Sequence, residues 1–269
     1  MLQDPVIEPS ALAFLGAFHL LDVRSPDAFE KGHAPGAIRV PIAAWEAAAR
    51  VAETSLDTST YWEDAIRGLG LDPAVPVVVS DDGRMTDSAR VWFILQYFGV
   101  KALVLNGGGP TLSGYPDRLA GIRPAVPTAA FRAHPGTGPV GLVNRTELKG
   151  DLSKVHILDA RTSAEFSGED LRQNTRGGHL PGTRLLPHAD LLGSGRLKPA
   201  ADLHALLSAA GFGPGDHVVT HCDGGGRAAL AALAALRAGY DDVRVYYLSF
   251  ADWAKDESCP IVRDEQGPA

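Results

Sequence analysis

The chain has 269 residues, of which 45% are hydrophobic and 21% charged, and its formal net charge is −7. This length suits one large domain or two of ordinary size, with enough apolar residues to build real cores. The negative charge argues against a sequence-independent nucleic-acid partner, which needs clustered Lys and Arg. The two cysteines form no C-x-x-C pair, so we predict neither a disulfide framework nor a metal site.

The beginning of the chain indicates neither a membrane span nor a secretory leader. No apolar run approaches the roughly 20 residues that cross a bilayer. Residues 1–24 lack a basic segment, carry early acids and pass directly into a strand-like run. We therefore expect a cytoplasmic protein without a membrane partner.

The chain contains an internal repeat. LLDVRSPDAFEKGHAPGAIRVP at residues 20–41 returns in altered form as ILDARTSAEF at 157–166 and GGHLPGTRLLP at 177–187. The second copy carries an insertion before His179. This self-similarity indicates two domains of related fold.

The later part of each copy predicts alternating strands and helices. Residues 76–100 match residues 216–240, each reading as an apolar strand, a polar turn and a helix that ends at glycine. KALVLNGG at 101–108 and VRVYYLSF at 243–250 then predict one further strand each. The predicted fold class is therefore α/β, with two domains that each hold a small, mainly parallel sheet flanked by helices.

We predict an N-terminal domain at residues 1–121, a linker at 122–140 and a C-terminal domain at 141–269. The linker is predicted because the segment lacks helical or alternating period and is rich in proline. A partner-binding role is the alternative, but no P-x-x-P repeat favours it. The prolines are Pro124, Pro127, Pro135 and Pro139.

Cys222 lies between a predicted strand, VVT at 218–220, and an Ala- and Leu-rich helical pattern at 229–239. Backbone N–H groups at a helix N-terminus are unsatisfied and carry positive potential, which favours a thiolate. The alternative for a lone cysteine is a small buried hydrophobe. Its position at a helix start favours the nucleophile.

The residues after Cys222 suit an anion cradle. Gly224, Gly225 and Gly226 allow successive amides to point into one concave space, and Arg227 adds a fixed positive charge. A merely flexible glycine loop followed by a helix-starting arginine is the alternative. The combination of cysteine, glycines and arginine directly after a strand favours chemistry.

This loop resembles the active-site loop of the rhodaneses, and the resemblance covers nearly the whole chain. FEKGHAPGA at residues 29–37 is similar to the family's N-terminal signature, and GHLPG at 178–182 to its second copy. LSFADW at 248–253 is similar to the C-terminal signature. The resemblance implies a tandem-domain sulfurtransferase with Cys222 as nucleophile.

The first domain departs from the family's pattern because Asp81 aligns with Cys222. A carboxylate cannot accept sulfur as a persulfide, so the resemblance implies an inactive, structural N-terminal copy that helps to wall the active-site cleft. Acid/base work by Asp81 or Asp82 is the alternative, and no partner residue for it is evident.

The resemblance also implies the reaction. Cys222 would take a sulfur from thiosulfate or 3-mercaptopyruvate, and the loop amides and Arg227 would hold the persulfide. Cyanide, a small thiol or a thiol-bearing acceptor protein would then receive the sulfur. No metal or organic cofactor is needed.

The choice of donor stays open at this point. Asp223, directly after the nucleophile, should weaken the binding of a dianion such as thiosulfate. Arg172 and Arg176, in the insertion before His179, are candidate ligands for the carboxylate of 3-mercaptopyruvate. Solvated surface charges are the alternative reading of both arginines.

His221 precedes the nucleophile and is a candidate for tuning it, although its side chain can equally point away at the strand end. Cys259 has no cradle and is expected to be inert. Four charged residues are predicted to form structural salt bridges, and two histidines to anchor His-x-Pro-Gly turns. They are Asp22 with Arg24, Asp159 with Arg161, His33 and His179.

Two rival functions remain. A cysteine-based phosphatase or arsenate reductase also uses His-Cys, a loop and Arg, but resembles H-C-x5-R, whereas this chain has H-C-x4-R from Cys222 to Arg227. The shorter loop suits a single sulfur better than a tetrahedral phosphate. A non-catalytic, regulatory rhodanese module is the second rival, and the retained cysteine disfavours it.

Overall fold

The computed structural model describes residues 4–113, 119–126 and 131–263, and the chain divides into two compact units. Among these residues, the first unit runs to Pro139 and also includes Ser194–Leu197. The second unit contains Val140–Gly193 and the residues from Lys198 onward. Both are sheets flanked by helices, which confirms the predicted fold class.

The first unit is a parallel sheet with helices on its faces. Its strands are β1 Val6–Ile7, β2 His19–Asp22, β3 Ile38–Arg39, β4 Val77–Ser80 and β5 Ala102–Leu105. Its helices are α1 Pro26–Lys31, α2 Ile42–Ala49, α3 Ser59–Arg67 and α4 Thr86–Tyr97, with 3₁₀ turns at Pro9–Phe14, Ala52–Thr54 and Gly109–Leu112. The strand order is β1-β5-β4-β2-β3.

The second unit repeats this plan. Its strands are β6 Val140–Leu142, β7 His156–Asp159, β8 Arg184–Leu185, β9 Leu192–Gly193, β11 Val218–His221 and β12 Val243–Val245, and β10 Arg196–Leu197 falls in the first unit. Its helices are α5 Arg145–Asp151, α6 Ser163–Ser167, α7 Ala200–Ala209, α8 Gly226–Arg237 and α9 Ser249–Trp253, with a 3₁₀ turn at His188–Leu191. The order β6-β12-β11-β7-β8 matches that of the first sheet.

The central strand of each sheet determines where the loops of interest lie. All residues of β4 and β11 are buried, as expected for parallel strands covered on both faces. Each leads into a loop and then into a helix that is buried along nearly its whole length, α4 or α8. The loops with Asp81 and Cys222 therefore lie at the carboxyl edge of their sheets, where binding sites of α/β folds form.

One predicted strand is shorter than the sequence indicated. VRVYYLSF was predicted as a strand over 243–250, but β12 ends at Val245 and α9 begins at Ser249. Ser249, the first residue of α9, has φ +59°, a left-handed conformation that a β-strand does not contain. Aromatic and apolar residues that read as a strand here instead fill the core beside the loop.

Several described residues of the segment predicted as a linker hydrogen-bond to the first unit, whereas its last residue, Val140, already begins β6 of the second unit. Arg123 N donates to Phe18 O at 2.8 Å, Val126 N to Gly70 O at 2.7 Å, and Gly136 N to Tyr97 O at 2.8 Å. Pro127 lies outside the described residues. The proline-rich composition thus suits a chain that runs along a surface without regular structure of its own.

A buried ion pair closes the carboxyl end of β7. Both carboxylate oxygens of Asp159 accept hydrogen bonds from Arg161, and Arg161 also donates to Gly178 O at 2.9 Å. The Arg161 guanidinium stacks on the Phe250 ring at 4.0 Å. The predicted salt bridge is therefore present, and so is its copy between Asp22 and Arg24, which is more exposed.

The two histidines of the His-x-Pro-Gly turns make the same contacts. His33 stacks on Phe29 with ring centroids 3.8 Å apart, and its Nδ1 lies 2.8 Å from Phe29 O. His179 stacks on Phe166 at 3.7 Å, with its Nδ1 3.1 Å from Phe166 O. Both therefore anchor their turns to the preceding helix, as predicted.

No helix in the described part of the chain is both long and apolar enough to cross a membrane.

Replacing Asp159 by alanine is expected to lower the free energy of unfolding of the second unit by about 3–5 kcal/mol, because Arg161 keeps a buried charge without its partner. Asp22→Ala is the matched control and should cost less, since the Arg24 side chain is 25% exposed and water can replace the carboxylate. Chemical denaturation, fitted as two transitions, compares the variants. Equal losses would contradict the argument.

Candidate active site

Cys222 is the first residue after β11, and its backbone is held by α9. Cys222 N donates to Ser249 Oγ at 3.1 Å, and Cys222 O accepts from Phe250 N at 3.0 Å. Asp223 O accepts from Ala251 N at 3.1 Å. The loop carbonyls thus satisfy the first N–H groups of α9, and this fixes the direction in which the loop leaves the strand.

The sulfur of Cys222 is buried, with the residue 1% exposed, and polar groups face it. Gly225 N donates to Sγ at 3.1 Å, and Ser249 Oγ lies 3.8 Å from Sγ. Gly225 is the residue immediately before α8, so the amide that points at the sulfur belongs to the helix N-terminus. A backbone donor and the positive end of the α8 dipole are therefore both directed at the sulfur.

Gly225 is the loop position at which only glycine fits. Its φ is +97°, and a Cβ there would lie 2.8 Å from Tyr247 O and 3.1 Å from the Tyr247 ring. Both the left-handed conformation and the close approach exclude a side chain. The amide can therefore reach Sγ only with glycine at this position.

Arg227 is oriented by Glu165 in a two-bonded ion pair. Arg227 Nη1 and Nη2 donate to Glu165 Oε2 and Oε1 at 2.6 and 2.7 Å. Glu165 is 2% exposed and caps α6 through Thr162, whose N and Oγ1 both donate to Oε2 at 3.0 Å. The geometry is the planar, bidentate kind that fixes a guanidinium in one orientation.

This pair keeps both charges at neutral pH. Burial opposes the ionisation of Glu165, but the hydrogen bonds and charge of Arg227 and the bonds from Thr162 outweigh burial and lower the Glu165 pKa to about 2. Burial likewise opposes the charge of Arg227, and Glu165, Cys222 and Asp223 outweigh it and raise the pKa of Arg227. Arg227 is therefore a permanent cation at the start of α8.

His221 lies under the loop. Its Nε2 is 3.4 Å from Asp159 Oδ2, and its Nδ1 is 3.3 Å from Cys222 O. Burial, opposed by Asp159 and aided by Arg161, lowers the His221 pKa to about 4, so the ring is neutral at physiological pH. These contacts place the buried ring against the Asp159 and Arg161 pair, in keeping with the alternative that its side chain points away from the nucleophile.

The other predicted polar residues fall in two places. Asp223 is half-buried, and its Oδ1 accepts from Asn174 Nδ2 at 2.7 Å. Arg172 has a 55% exposed side chain, and its Nε lies 4.0 Å from Glu165 Oε1. It therefore stays a candidate for binding the carboxylate of 3-mercaptopyruvate.

Arg176 is used by the fold. Its guanidinium donates to four backbone carbonyls around the end of α9, those of Trp253, Ala254, Asp256 and Cys259. Because these carbonyls already occupy the N–H groups of its guanidinium, we no longer expect Arg176 to bind the sulfur-donating substrate. Cys259 is buried in the same region, where burial raises the pKa of its thiol, as expected for an inert cysteine.

The matching loop of the first unit is filled by its own carboxylate. Asp81 Oδ1 accepts from Gly83 N at 2.8 Å, and Oδ2 accepts from Ser88 N at 3.1 Å and Ser88 Oγ at 3.0 Å. Asp81 is 2% exposed. It therefore caps the start of α4, and the anion position of this unit is occupied by the protein itself.

Three residues of the site were missed from the sequence. Glu165 could have been found, because Thr162 and Glu165 have the spacing of a capping box. Ser249 gave no signal, since its role depends on the left-handed conformation, φ +59°, with which it begins α9. Asn174 lies in the insertion, which has no counterpart in the first copy of the repeat.

With this geometry in view, the family model of the rhodanese-like domain matches residues 10–110 and again residues 144–256. The chain belongs to the rhodanese family. The second match includes the whole loop from His221 to Arg227, so the rhodanese resemblance is confirmed. Both units carry the family's fold, and the second carries the cysteine.

Named relatives cover most of the chain. The 3-mercaptopyruvate sulfurtransferase of Escherichia coli K12 is 28% identical over 235 residues, or 86% of this chain and 83% of the relative. The thiosulfate sulfurtransferase of Gallus gallus is 26% identical over 231 residues, or 84% and 79%.

Solved structures share the fold. SseA from Escherichia coli, a 3-mercaptopyruvate sulfotransferase with the rhodanese fold, superposes with a TM-score of 0.71 at 25% identity, over 92% of this chain and 99% of SseA. An anaerobic ergothioneine biosynthesis enzyme from Chlorobium limicola reaches a TM-score of 0.80 at 20% identity, over 97% and 70%. The latter likeness concerns the fold alone.

Gly225→Ala is expected to reduce sulfur transfer at least tenfold, roughly the effect of losing one stabilising donor, because the new Cβ displaces the amide that points at Cys222 Sγ. Gly239→Ala is the matched control, with the same φ of +97° and no atom within 4 Å of a built Cβ. It should show only backbone strain, about 1–2 kcal/mol of stability, with activity retained. Equal activity in the two variants would refute the role of Gly225.

Proposed function

We propose that the protein moves a sulfane sulfur from thiosulfate or 3-mercaptopyruvate to a thiol or cyanide through a persulfide on Cys222. As a member of the rhodanese family with sulfurtransferases among its relatives, the chain is a sulfurtransferase. The observation that carries the proposal is the 3.1 Å hydrogen bond from Gly225 N, at the start of α8, to Cys222 Sγ.

In the first half-reaction the Cys222 thiolate attacks the sulfur to be transferred, which is the outer sulfur of thiosulfate or the thiol sulfur of 3-mercaptopyruvate. With thiosulfate, the S–S bond breaks and sulfite leaves with the electron pair. With 3-mercaptopyruvate, the C–S bond breaks and pyruvate leaves as its enolate, which takes up a proton. The protein retains one extra sulfur in either case, and no electrons are gained or lost overall.

The surroundings of Cys222 suit a sulfur anion. The Gly225 amide and the partial charge of the α8 N-terminus stabilise charge on Sγ. Arg227, at the end of the same loop, adds a permanent positive charge. Glu165 balances much of the Arg227 charge. This favours a singly charged persulfide over the dianionic phosphate that a phosphatase of H-C-x5-R type must bind.

In the second half-reaction an acceptor attacks the outer persulfide sulfur, and Cys222 leaves as a thiolate. Cyanide, a small thiol or the thiol of an acceptor protein can each take the sulfur. The cycle predicts double-displacement kinetics, in which donor and acceptor never need to be bound together.

Cys222→Ser should abolish sulfur transfer, because a hydroxyl cannot form the persulfide. After exposure to donor, intact-protein mass spectrometry should show one added sulfur atom on the wild type and none on this variant. Cys259→Ser is the matched control and should gain the sulfur normally, since Cys259 lies in apolar packing. Transfer at the wild-type rate by Cys222→Ser would end the proposal.

Asp223→Asn should raise kcat/KM for thiosulfate about fivefold relative to 3-mercaptopyruvate. The donors differ by one negative charge, and one unit of repulsion near a solvated carboxylate is worth about 1 kcal/mol. A donor comparison with one common acceptor measures the ratio. Asp242→Asn, at the opposite end of the sheet beside His217, is the control and should leave it unchanged. An unchanged ratio in Asp223→Asn would show that Asp223 does not discriminate between donors.

A further inference from the structure

His188 lies at the same edge of the second sheet as the Cys222 loop. It begins the 3₁₀ turn His188–Leu191, and its backbone N donates to Ala160 O, just beyond β7, at 3.1 Å. This turn packs against α8, the helix that begins with the loop. No sequence motif marks His188, and nothing in the proposed cycle so far uses it.

The internal repeat shows what the position of His188 lines. Leu186 N donates to Asp159 O at 3.0 Å in the second unit, and Val40 N donates to Asp22 O at 2.9 Å in the first. These matching bonds make Ile42 the counterpart of His188, two residues further on in each copy.

In the first unit, Ile42 and Asp81 both line one cavity of about 520 Å³. Ser25 and Pro41 line it too, and their counterparts in the second unit are Thr162 and Pro187. Asp81 is the counterpart of Cys222. By analogy with the first unit, we infer that residue 188 lines the corresponding space beside the Cys222 loop.

The imidazole of His188 is half-buried and incompletely paired. Its Nδ1 is buried and has no partner in good hydrogen-bonding geometry among the described residues, although the Ala160 carbonyl lies close enough to act on the ring. Burial and then the charge of Arg227 lower the His188 pKa, against the weaker effects of the Ala160 carbonyl, Glu165 and Asp190. The lowered pKa favours the neutral ring, which is the form that can accept a proton.

We propose that His188 is the general base that deprotonates a thiol acceptor in the second half-reaction, an inference that rests on the proposed persulfide of Cys222. Nε2 takes the proton of the acceptor R–SH. The resulting thiolate attacks the outer persulfide sulfur, a new S–S bond forms, and the bond to Cys222 Sγ breaks with its electron pair on Sγ. The proton on His188 then passes to the persulfide product or to water.

The test uses wild-type and His188→Gln protein loaded with donor, freed of it, and mixed rapidly with one of two acceptors. β-Mercaptoethanol has a proton to give up, whereas the sulfite ion has none. Quenched samples are weighed by mass spectrometry to follow the loss of the extra sulfur. We expect His188→Gln to slow transfer to the thiol about 100-fold, the usual contribution of a positioned base, and transfer to sulfite by less than about twofold.

Two further readouts separate a base from a structural residue. A fluorinated thiol that is already ionised should restore most of the rate to His188→Gln, because it needs no base. The wild-type rate with β-mercaptoethanol should stay level with falling pH until acid protonates His188, whereas the variant depends on thiolate already in solution and should slow steadily over the whole range. His204→Gln, on the exposed face of α7, is the matched control and should behave as wild type.

The outcomes are distinguishable. An equal slowing with both acceptors, or a wild-type rate with the thiol, would overturn the role of His188 while leaving the persulfide intact. A wild-type protein that gains no sulfur on Cys222 would overturn the proposed function and this inference with it.

Discussion

Arg227 and Glu165 join the first turn of α8 to the first turn of α6 through two short hydrogen bonds. The rest of the loop depends on this pair, because it fixes where α8 begins relative to β7 and so where the Gly225 amide points. Breaking a pair of this burial leaves an uncompensated charge, which is far more costly than never having had the pair. The same carboxylate also limits what the site can hold. Glu165 offsets most of the arginine's charge, so the loop offers a directed amide and a helix terminus more than a strong net positive field.

The two units place different residues, Asp81 and Cys222, at one loop position of a common scaffold. Strand order, the central buried helix and the ion pair at the strand end are shared. In the first unit the Asp81 carboxylate takes the amides at the start of α4, so the anion position is satisfied permanently. In the second, a cysteine occupies that position, and under the proposed mechanism its sulfur is both the resident group and the one that reacts. The same kind of helix start is thus used as a cap in the first unit and, in the proposed function, as a reaction centre in the second.

The fold could be predicted from the sequence because each strand, turn and helix pattern occurs twice. In addition, long apolar runs before polar turns are typical of buried parallel strands. It also located the loop, since glycines after a strand-end cysteine have few other uses. It did not reveal which partner orients Arg227, because Glu165 is distant in sequence and only folding brings the two together. The prediction that one strand spans residues 243–250 was wrong for a related reason. Its aromatic residues have high strand propensity, but tertiary packing turns the chain at Ser249 to hold the loop.

The two units also differ in a correlated way at the position above the loop, where the first has Ile42 and the second has His188. An isoleucine over a permanently satisfied carboxylate only has to exclude water, and an apolar side chain does that best. A half-buried imidazole whose Nδ1 has no well-placed hydrogen-bond partner is costly to keep for packing alone, because that buried nitrogen loses solvation that nothing fully replaces. Unsatisfied groups collect where function offsets their cost, and a proton-handling role for His188 would supply such a function. Under the two proposals, the change from Ile42 to His188 accompanies the change from Asp81 to Cys222.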